Sequence, residues 1–179
     1  MPPEIETARL RLYAPRIEDL EARLAMDRDP EVMRFIRPVP EDAEAQRAEI
    51  RQRILEPPWG AFWHVEARVA PGFIGWCGLF PLQDSGLIEI GYRFLRAAWG
   101  RGFATEAAAA LDHGFRKLEL DPIVAVSDPD NAASHSVLRK IGLRAVGTAK
   151  HYGRELPFFE LRRDDYLATH TSPSTSCRA

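Results

Sequence analysis

Apolar positions along the chain change their period several times, and each change marks an element. Thr7 to Tyr13 alternates, with Ala8, Leu10 and Leu12 set against Arg9, Arg11 and Tyr13, which predicts a strand broken by Pro15. Arg16 to Arg28 places Ile17, Leu20 and Leu24 on one helical stripe and stops at Asp29-Pro30, because a residue before proline is pushed out of the helical region. Glu31 to Ile36 reads as a short helical turn. Glu41 to Leu55 reads as a second amphipathic helix bounded by Pro40 and by Pro57-Pro58.

From Ala61 the period shortens to two. Ala61–Val69, Phe73–Phe80 and Leu87–Leu95 read as strands joined by a Pro71-Gly72 turn and a turn-forming loop over Pro81–Gly86, hence an antiparallel meander. Phe103–Leu118 returns to helical spacing, with Phe103, Ala107, Leu111, Phe115 and Leu118 on one face. Ile123–Ser127 is a short strand, and Asn131–Ile141 is a helix stopped by Gly142 where a left-handed cap belongs. Leu143–Thr148 and Pro157–Arg162 form a closing hairpin around Gly153. Residues 169–179, Ser/Thr-rich and without apolar period, are expected to be a disordered tail. The class is therefore mixed α/β, and with no repeat or linker to divide it, residues 1–168 are expected to form one domain.

Composition narrows the function more than the fold. With 179 residues, 45% hydrophobic and 28% charged, the chain can bury an ordinary globular core. A net charge of −2 speaks against broad binding of nucleic acid or an anionic membrane surface. No apolar run approaches the roughly 18 residues of a membrane span, and Met1-Pro2-Pro3-Glu4 lacks the order of a signal peptide. Two cysteines, Cys77 in an apolar run and Cys177 in the tail, make no disulfide framework and fit a reducing, cytoplasmic compartment. The five histidines lack metal-ligand spacing, so no metal is expected.

Candidate chemistry concentrates in Gly91 to Glu106. A strand runs into the loop Trp99-Gly100-Arg101-Gly102, which opens a helix with no Ser, Thr, Asp or Asn in the cap region. The first N–H groups of a helix lack intrahelical partners, and glycines let backbone approach a ligand closely, so the loop suits a phosphate or pyrophosphate. The alternative is that the glycines only make the turn. A Walker loop is absent, and the dinucleotide fingerprint is half present: Gly100 and Gly102 fit, but Thr105 replaces the third glycine.

This stretch resembles the GNAT superfamily of N-acetyltransferases, and within it the RimJ/RimL-type branch that acetylates N-termini of ribosomal proteins. The resemblance runs from about Glu4 to Tyr166 and includes Thr7-Ala8-Arg9-Leu10-Arg11-Leu12, Asp29-Pro30-Glu31-Val32-Met33, Phe73-Ile74-Gly75 and Asn131-Ala132-Ala133-Ser134. Its most specific block is Glu89 to Ala107. It implies a twisted, mostly antiparallel mixed sheet of about six to seven strands flanked by about four helices, splayed at the centre to admit the pantetheine arm of acetyl-CoA. The family loop is Q/R-x-x-G-x-G/A; here Trp99 takes the first place, Gly102 the fourth and Ala104 the sixth. By the same resemblance, Phe94 and Leu95 would hold pantetheine through their backbone. Trp99, Gly100, Arg101, Gly102, Phe103, Ala104 and Thr105 would hold the pyrophosphate. Asn131 would contact the cofactor, unless it is only a helix N-cap. Arg96, Arg101 and Arg139 are candidates to neutralise phosphates, or are solvated surface arginines. The co-substrate would be acetyl-CoA and the acceptor a primary amine: a protein N-terminus, polyamine, amino acid or aminoglycoside. The protein would be a monomer or homodimer without nucleic-acid or membrane partners.

Direct attack of the amine on the thioester needs no enzyme nucleophile, and mid-strand Cys77 reads as core. Removing a proton at pH 7 costs an α-amine about 1.2 kcal/mol and a lysine-type amine about 4.6 kcal/mol, so a modest base suffices for an α-amine. Glu89, set among Ile88, Ile90 and Tyr92, is the first candidate base, unless it pairs with an arginine or faces solvent; His64 is the second. Many relatives protonate the thiolate with a tyrosine in the following helix, where this chain has Leu138, which leaves Ser134 or water as the acid. It also leaves open a non-catalytic acyl-CoA-binding domain. Tyr152 is read as a turn residue or as part of the acceptor mouth.

Overall fold

The computed structural model describes residues 2–56 and 60–170. Pro57-Pro58 and residues 171–179 of the expected tail lie outside them. Eight strands form one sheet, in the spatial order β1 (Ile5–Glu6), β2 (Leu10–Tyr13), β3 (Ala61–Ala67), β4 (Ala70–Pro81), β5 (Ile88–Phe94), β6 (Ile123–Val126), β8 (Arg154–Leu161) and β7 (Arg144–His151). Every neighbouring pair is antiparallel except β5–β6. The sheet thus has the expected class, with Ile5–Glu6 as an additional edge strand.

Helices cover both faces. On one lie α1 (Leu20–Arg28), entered through a 3₁₀ turn at Ile17–Asp19, then α2 (Pro30–Met33) and α3 (Ala43–Leu55). Asp29 caps α2 by accepting from the Glu31 N–H at 2.9 Å, and Asp42 caps α3 through the Ala45 N–H. The other helices are α4 (Phe103–Ala107), α5 (Ala110–Arg116), α6 (Ala132–Lys140) and α7 (Arg163–Thr169). The main core joins sheet residues Leu10, Trp63, Val65, Leu79, Ile90 and Ile123 to helical Leu111, Phe115 and Leu138. Each such side chain contributes roughly 1.5–3 kcal/mol by leaving water. A smaller cluster of Met26, Val32, Phe73 and Trp76 seats α1 and α2 on the opposite face.

Three expectations are corrected. The β3–β4 turn falls at Arg68-Val69, while Pro71 and Gly72 lie within β4, where the register shifts opposite Glu66 and absorbs the extra residues. The long helix from Phe103 is interrupted at Ala108-Ala109, where the bonds from Ala109 N to Glu106 O and from Leu111 N to Ala108 O tighten the spiral by one residue. Thr169 closes α7 rather than starting a tail. That helix was hidden because its one buried residue is Tyr166, too little for a periodic stripe.

The topology makes one opening. β6 pairs with β5 only through Ile88–Ile123 and Glu89–Val124; beyond that, β5 stays with β4 while Ala125 and Val126 stay with β8. The two central strands therefore part immediately after Glu89.

Candidate active site

Strand alternation divides β5 between the two faces of this opening. Arg93 turns toward α1, with its guanidinium 2.5 Å from Asp27 Oδ1, and Glu89 shares that face. Tyr92 turns the other way and reaches α6, with its hydroxyl 3.2 Å from Ser134 Oγ.

At the open end of β5 the chain enters the glycine loop. Gly100 and Gly102 have φ of 70° and 75°, left-handed values that favour glycine, and Gly102 is the N-cap of α4 with no side-chain cap bond. A side chain at Gly100 would meet nothing within 4 Å, whereas one at Gly102 would come within 3.5 Å of the Arg9 guanidinium. The loop is pinned from the far edge of the sheet. Glu106 accepts from the Arg9 N–H at 2.7 Å, from Arg9 Nε at 2.6 Å and from the Thr7 hydroxyl at 2.6 Å, while Arg9 Nη1 donates to the Arg101 carbonyl at 2.9 Å. This clamp fixes the loop's shape. Its pieces, Thr7-Ala8-Arg9 and Glu106, lie 97 to 99 positions apart, so no local pattern in the sequence joins them.

Within the expected cofactor set the structure separates roles. The Leu95 N–H is spent on the Ile74 carbonyl and the Leu95 carbonyl accepts from Ala98, so Leu95 brings no spare donor. Alternation then aims the Phe94 N–H into the opening, while the Phe94 carbonyl accepts from the Trp99 indole at 2.9 Å. The Phe103 side chain is buried in the core and Ala104 packs against it, which leaves their backbone for a ligand. Arg101 lies over the Phe103 ring, and Arg96 is exposed. Arg139 instead lines a cleft with Gly142, Asp165 and Thr169 that contains no residue of the loop.

At the closed end, Glu89 is only 5% exposed, and its carboxylate accepts from the Tyr152 hydroxyl. Burial raises its pKa from the ordinary 4.5 to about 7, against the opposing pull of the Tyr152 hydrogen bond. Among the described residues no arginine pairs with Glu89. Tyr152 sits at the tip of the β7–β8 hairpin with φ of 52°, and its N–H donates to Gln83 Oε1 at 2.8 Å. It also lines a cleft of about 520 Å³ between the hairpin and the segment from Pro30 to Val39. Tyr152 is thus a turn residue, as one reading had it, and it also lines a cleft.

Asn131 is the N-cap of α6, its side-chain oxygen accepting from the Ser134 N–H at 3.0 Å. The Ser134 hydroxyl meets Tyr92, whose own pKa burial pushes up to about 12, so Tyr92 is a proton-bearing donor at neutral pH. Sequence reasoning missed Tyr92, although the alternation of β5 against Glu89 places it on the opposite face. Leu138 is core. Cys77 is fully buried, and its thiol is raised to about 12 by that burial. His64 is wholly buried among Tyr13, Phe62 and Phe73, with Nδ1 2.8 Å from Asp19 and its pKa lowered by burial. Fully buried and bonded to Asp19, it is a weaker candidate base than Glu89.

Residues 9–144 match the acetyltransferase (GNAT) domain family. The chain is 32% identical over 152 residues to the uncharacterized N-acetyltransferase p20 from Bacillus licheniformis, covering 82% of this chain and 85% of that one. Among solved structures it is similar to spermidine N-acetyltransferase from Vibrio cholerae in complex with CoA and spermine, with a TM-score of 0.74 and 18% identity over 90% of this chain and 99% of that one. It is also similar to RimL, a ribosomal L7/L12 alpha-N-protein acetyltransferase in complex with coenzyme A, with a TM-score of 0.72 and 16% identity over 91% and 99%.

Proposed function

The chain belongs to the acetyltransferase (GNAT) domain family and is an acetyl-CoA-dependent acyltransferase. From that premise we propose that it moves the acetyl group onto a primary amine by direct attack in a ternary complex, with Glu89 as base. The observation that carries this reading is the parting of β5 from β6 directly after Glu89. It has uncapped backbone donors at Gly100–Gly102 at one end and a buried carboxylate of pKa about 7 at the other. The same reading takes residues 1–168 as one acetyltransferase domain working in the cytoplasm.

The residues present suit acetyl-CoA: the left-handed glycine loop opens α4 without a competing side-chain cap, and strand alternation turns the Phe94 N–H away from β4. When bound, the co-substrate supplies the thioester carbonyl and the thiolate that leaves. Glu89 takes a proton from the acceptor amine as the N–C bond forms and the C–S bond breaks. An α-amine has a pKa of about 7.7–8.0, so transfer to a carboxylate near 7 is almost level and each partner is substantially in the needed form at neutral pH. Tyr152 holds that carboxylate in place. On the opposite face, Ser134 hydrogen-bonded to Tyr92 is placed to give the departing sulfur a proton. An unprotonated thiolate is uphill by only about 2 kcal/mol at pH 7 if its pKa resembles that of cysteine, so this aid is modest. Tyr92 also answers the loss of the usual tyrosine at Leu138, the ground for a non-catalytic reading. Buried Cys77 has too little thiolate to serve as an acyl carrier.

The finer assignment to the RimJ/RimL-type branch rests on the motif resemblance and on a shared fold with RimL. The test is calorimetric binding of acetyl-CoA paired with thiol release across a panel of amines. Binding with release on at least one amine is expected. Binding without release on any of them would contradict the proposal.

A further inference from the structure

Resting on that reading, we infer that the acceptor amine carries a carboxylate or phosphate group, which the protein recognises through a basic cleft beside Glu89. The cleft of about 520 Å³ is lined by Pro30, Met33 to Val39, Tyr152 and Arg154. Its size suits a small molecule or the first residues of a peptide. Tyr152 is the link to the chemistry, since it lines the cleft and its hydroxyl bonds to Glu89. A ligand in the cleft therefore lies beside the proposed base.

The lining contains three arginines, Arg34, Arg37 and Arg154, and no acidic residue. Arg154 is held by Asp128 at 2.7 Å, and Arg37 meets Glu49 only at 3.8 Å. Arg34 is exposed and lies over the Phe35 ring, 5.1 Å from its centroid. Of the acids near it, Asp29 caps α2 and Glu31, exposed on that helix, is not part of the cleft lining. Beneath α1, on the same face of the sheet, Arg23 and Arg93 both bond to Asp27, and among the described residues Arg93 Nε has no hydrogen-bond partner. A polycation entering this cleft would meet like charge, whereas a carboxylate or phosphate would find planar guanidinium forks matched to its geometry. The inference separates this chain from its fold neighbour crystallised with spermine. The apolar remainder of the wall, Met33, Ile36 and Val39, would take the carbon skeleton between the amine and the anion.

The test measures kcat/KM for matched amines with the full chain. One arm compares O-phosphoethanolamine with ethanolamine, and serine with serinamide. The other compares the peptide Ser-Glu-Ala amide with Ser-Gln-Ala amide. Spermidine is the cationic control. The anionic member should be preferred by about tenfold or more in at least one arm, the scale of a charge-assisted hydrogen bond, and the arm that responds identifies a free metabolite or a peptide as its source. The preference should shrink with added salt, fall to near unity in Arg34→Gln and Arg154→Gln, and turn toward spermidine in Arg34→Glu. Melting temperature and CoA affinity report on folding, and Arg34, exposed and without a carboxylate partner among the described residues, is the variant least prone to disturb it. An anionic-to-neutral ratio within about threefold in both arms, or a preference that both arginine variants leave intact, overturns the inference while leaving acyl transfer standing. Absence of thiol release with every amine would sink the acyltransfer reading, and this inference with it.

Discussion

Glu89→Gln should make the protein relatively more stable as pH rises while removing most of its activity. The wild-type carboxylate is buried, and burial raises its pKa to about 7 from the 4.5 it has in water. Between those values the folded state binds the proton that the unfolded state has released, so stability falls as pH rises through this window and levels off above 7. Integrating that difference from pH 5 to pH 8 gives about 2.5 kcal/mol of lost stability in the wild type. Glutamine cannot titrate, so it does not incur this loss, and contributions from all other groups cancel in the comparison. For a chain of this length that corresponds to about 5–10 °C in the difference between the two melting temperatures. The glutamine amide brings an extra buried N–H that shifts the mutant by a constant amount, which is why the change with pH is the readout. On the same preparations, kcat/KM should fall by about 10²–10⁴-fold, and the wild-type limb near pH 7 should vanish. A stability difference that is flat with pH, or an unchanged pH–rate profile, would refute the argument.

The remaining expectations follow the site outward. Tyr152→Phe removes the hydrogen bond that opposes the rise in the Glu89 pKa, so the activity limb should move to higher pH with a kcat loss of about tenfold or less; an unmoved limb would separate Tyr152 from Glu89. Ser134→Ala should lower the single-turnover rate by about 10-fold to 30-fold with CoA affinity unchanged, and Tyr92→Phe should act in the same direction. A lower melting temperature with an unchanged single-turnover rate would make both residues structural only. Gly100→Asp and Gly100→Asn share a left-handed tolerance and differ in one charge, at a position where a side chain meets no neighbour; Asp should weaken CoA binding about tenfold relative to Asn, and equal affinities would remove the pyrophosphate from this loop.

Much of this was legible in the chain. Period changes placed most elements, and Gly91 to Glu106 marked out a glycine-rich turn into a helix, the candidate anion site, because glycine content and missing caps are local facts. What sequence concealed was joined at a distance. Glu89 and Tyr152 stand 63 positions apart and meet through the left-handed tip of the β7–β8 hairpin, where the tyrosine sits. Thr7, Arg9 and Glu106 form a clamp spanning 99 positions, from one edge of the sheet to the loop. The basic cleft unites Arg34 and Arg37 with Arg154, which no spacing rule connects. The helix break at Ala108 escaped because alanine carries no signal against a continuous helix.

The central claim is transfer within a ternary complex, without a covalent acetyl-enzyme. Initial rates measured across a matrix of acetyl-CoA and an accepted amine test it most directly. Double-reciprocal lines that intersect are the predicted result. Parallel lines, with acetyl-protein detected by intact mass when the amine is withheld, would contradict it.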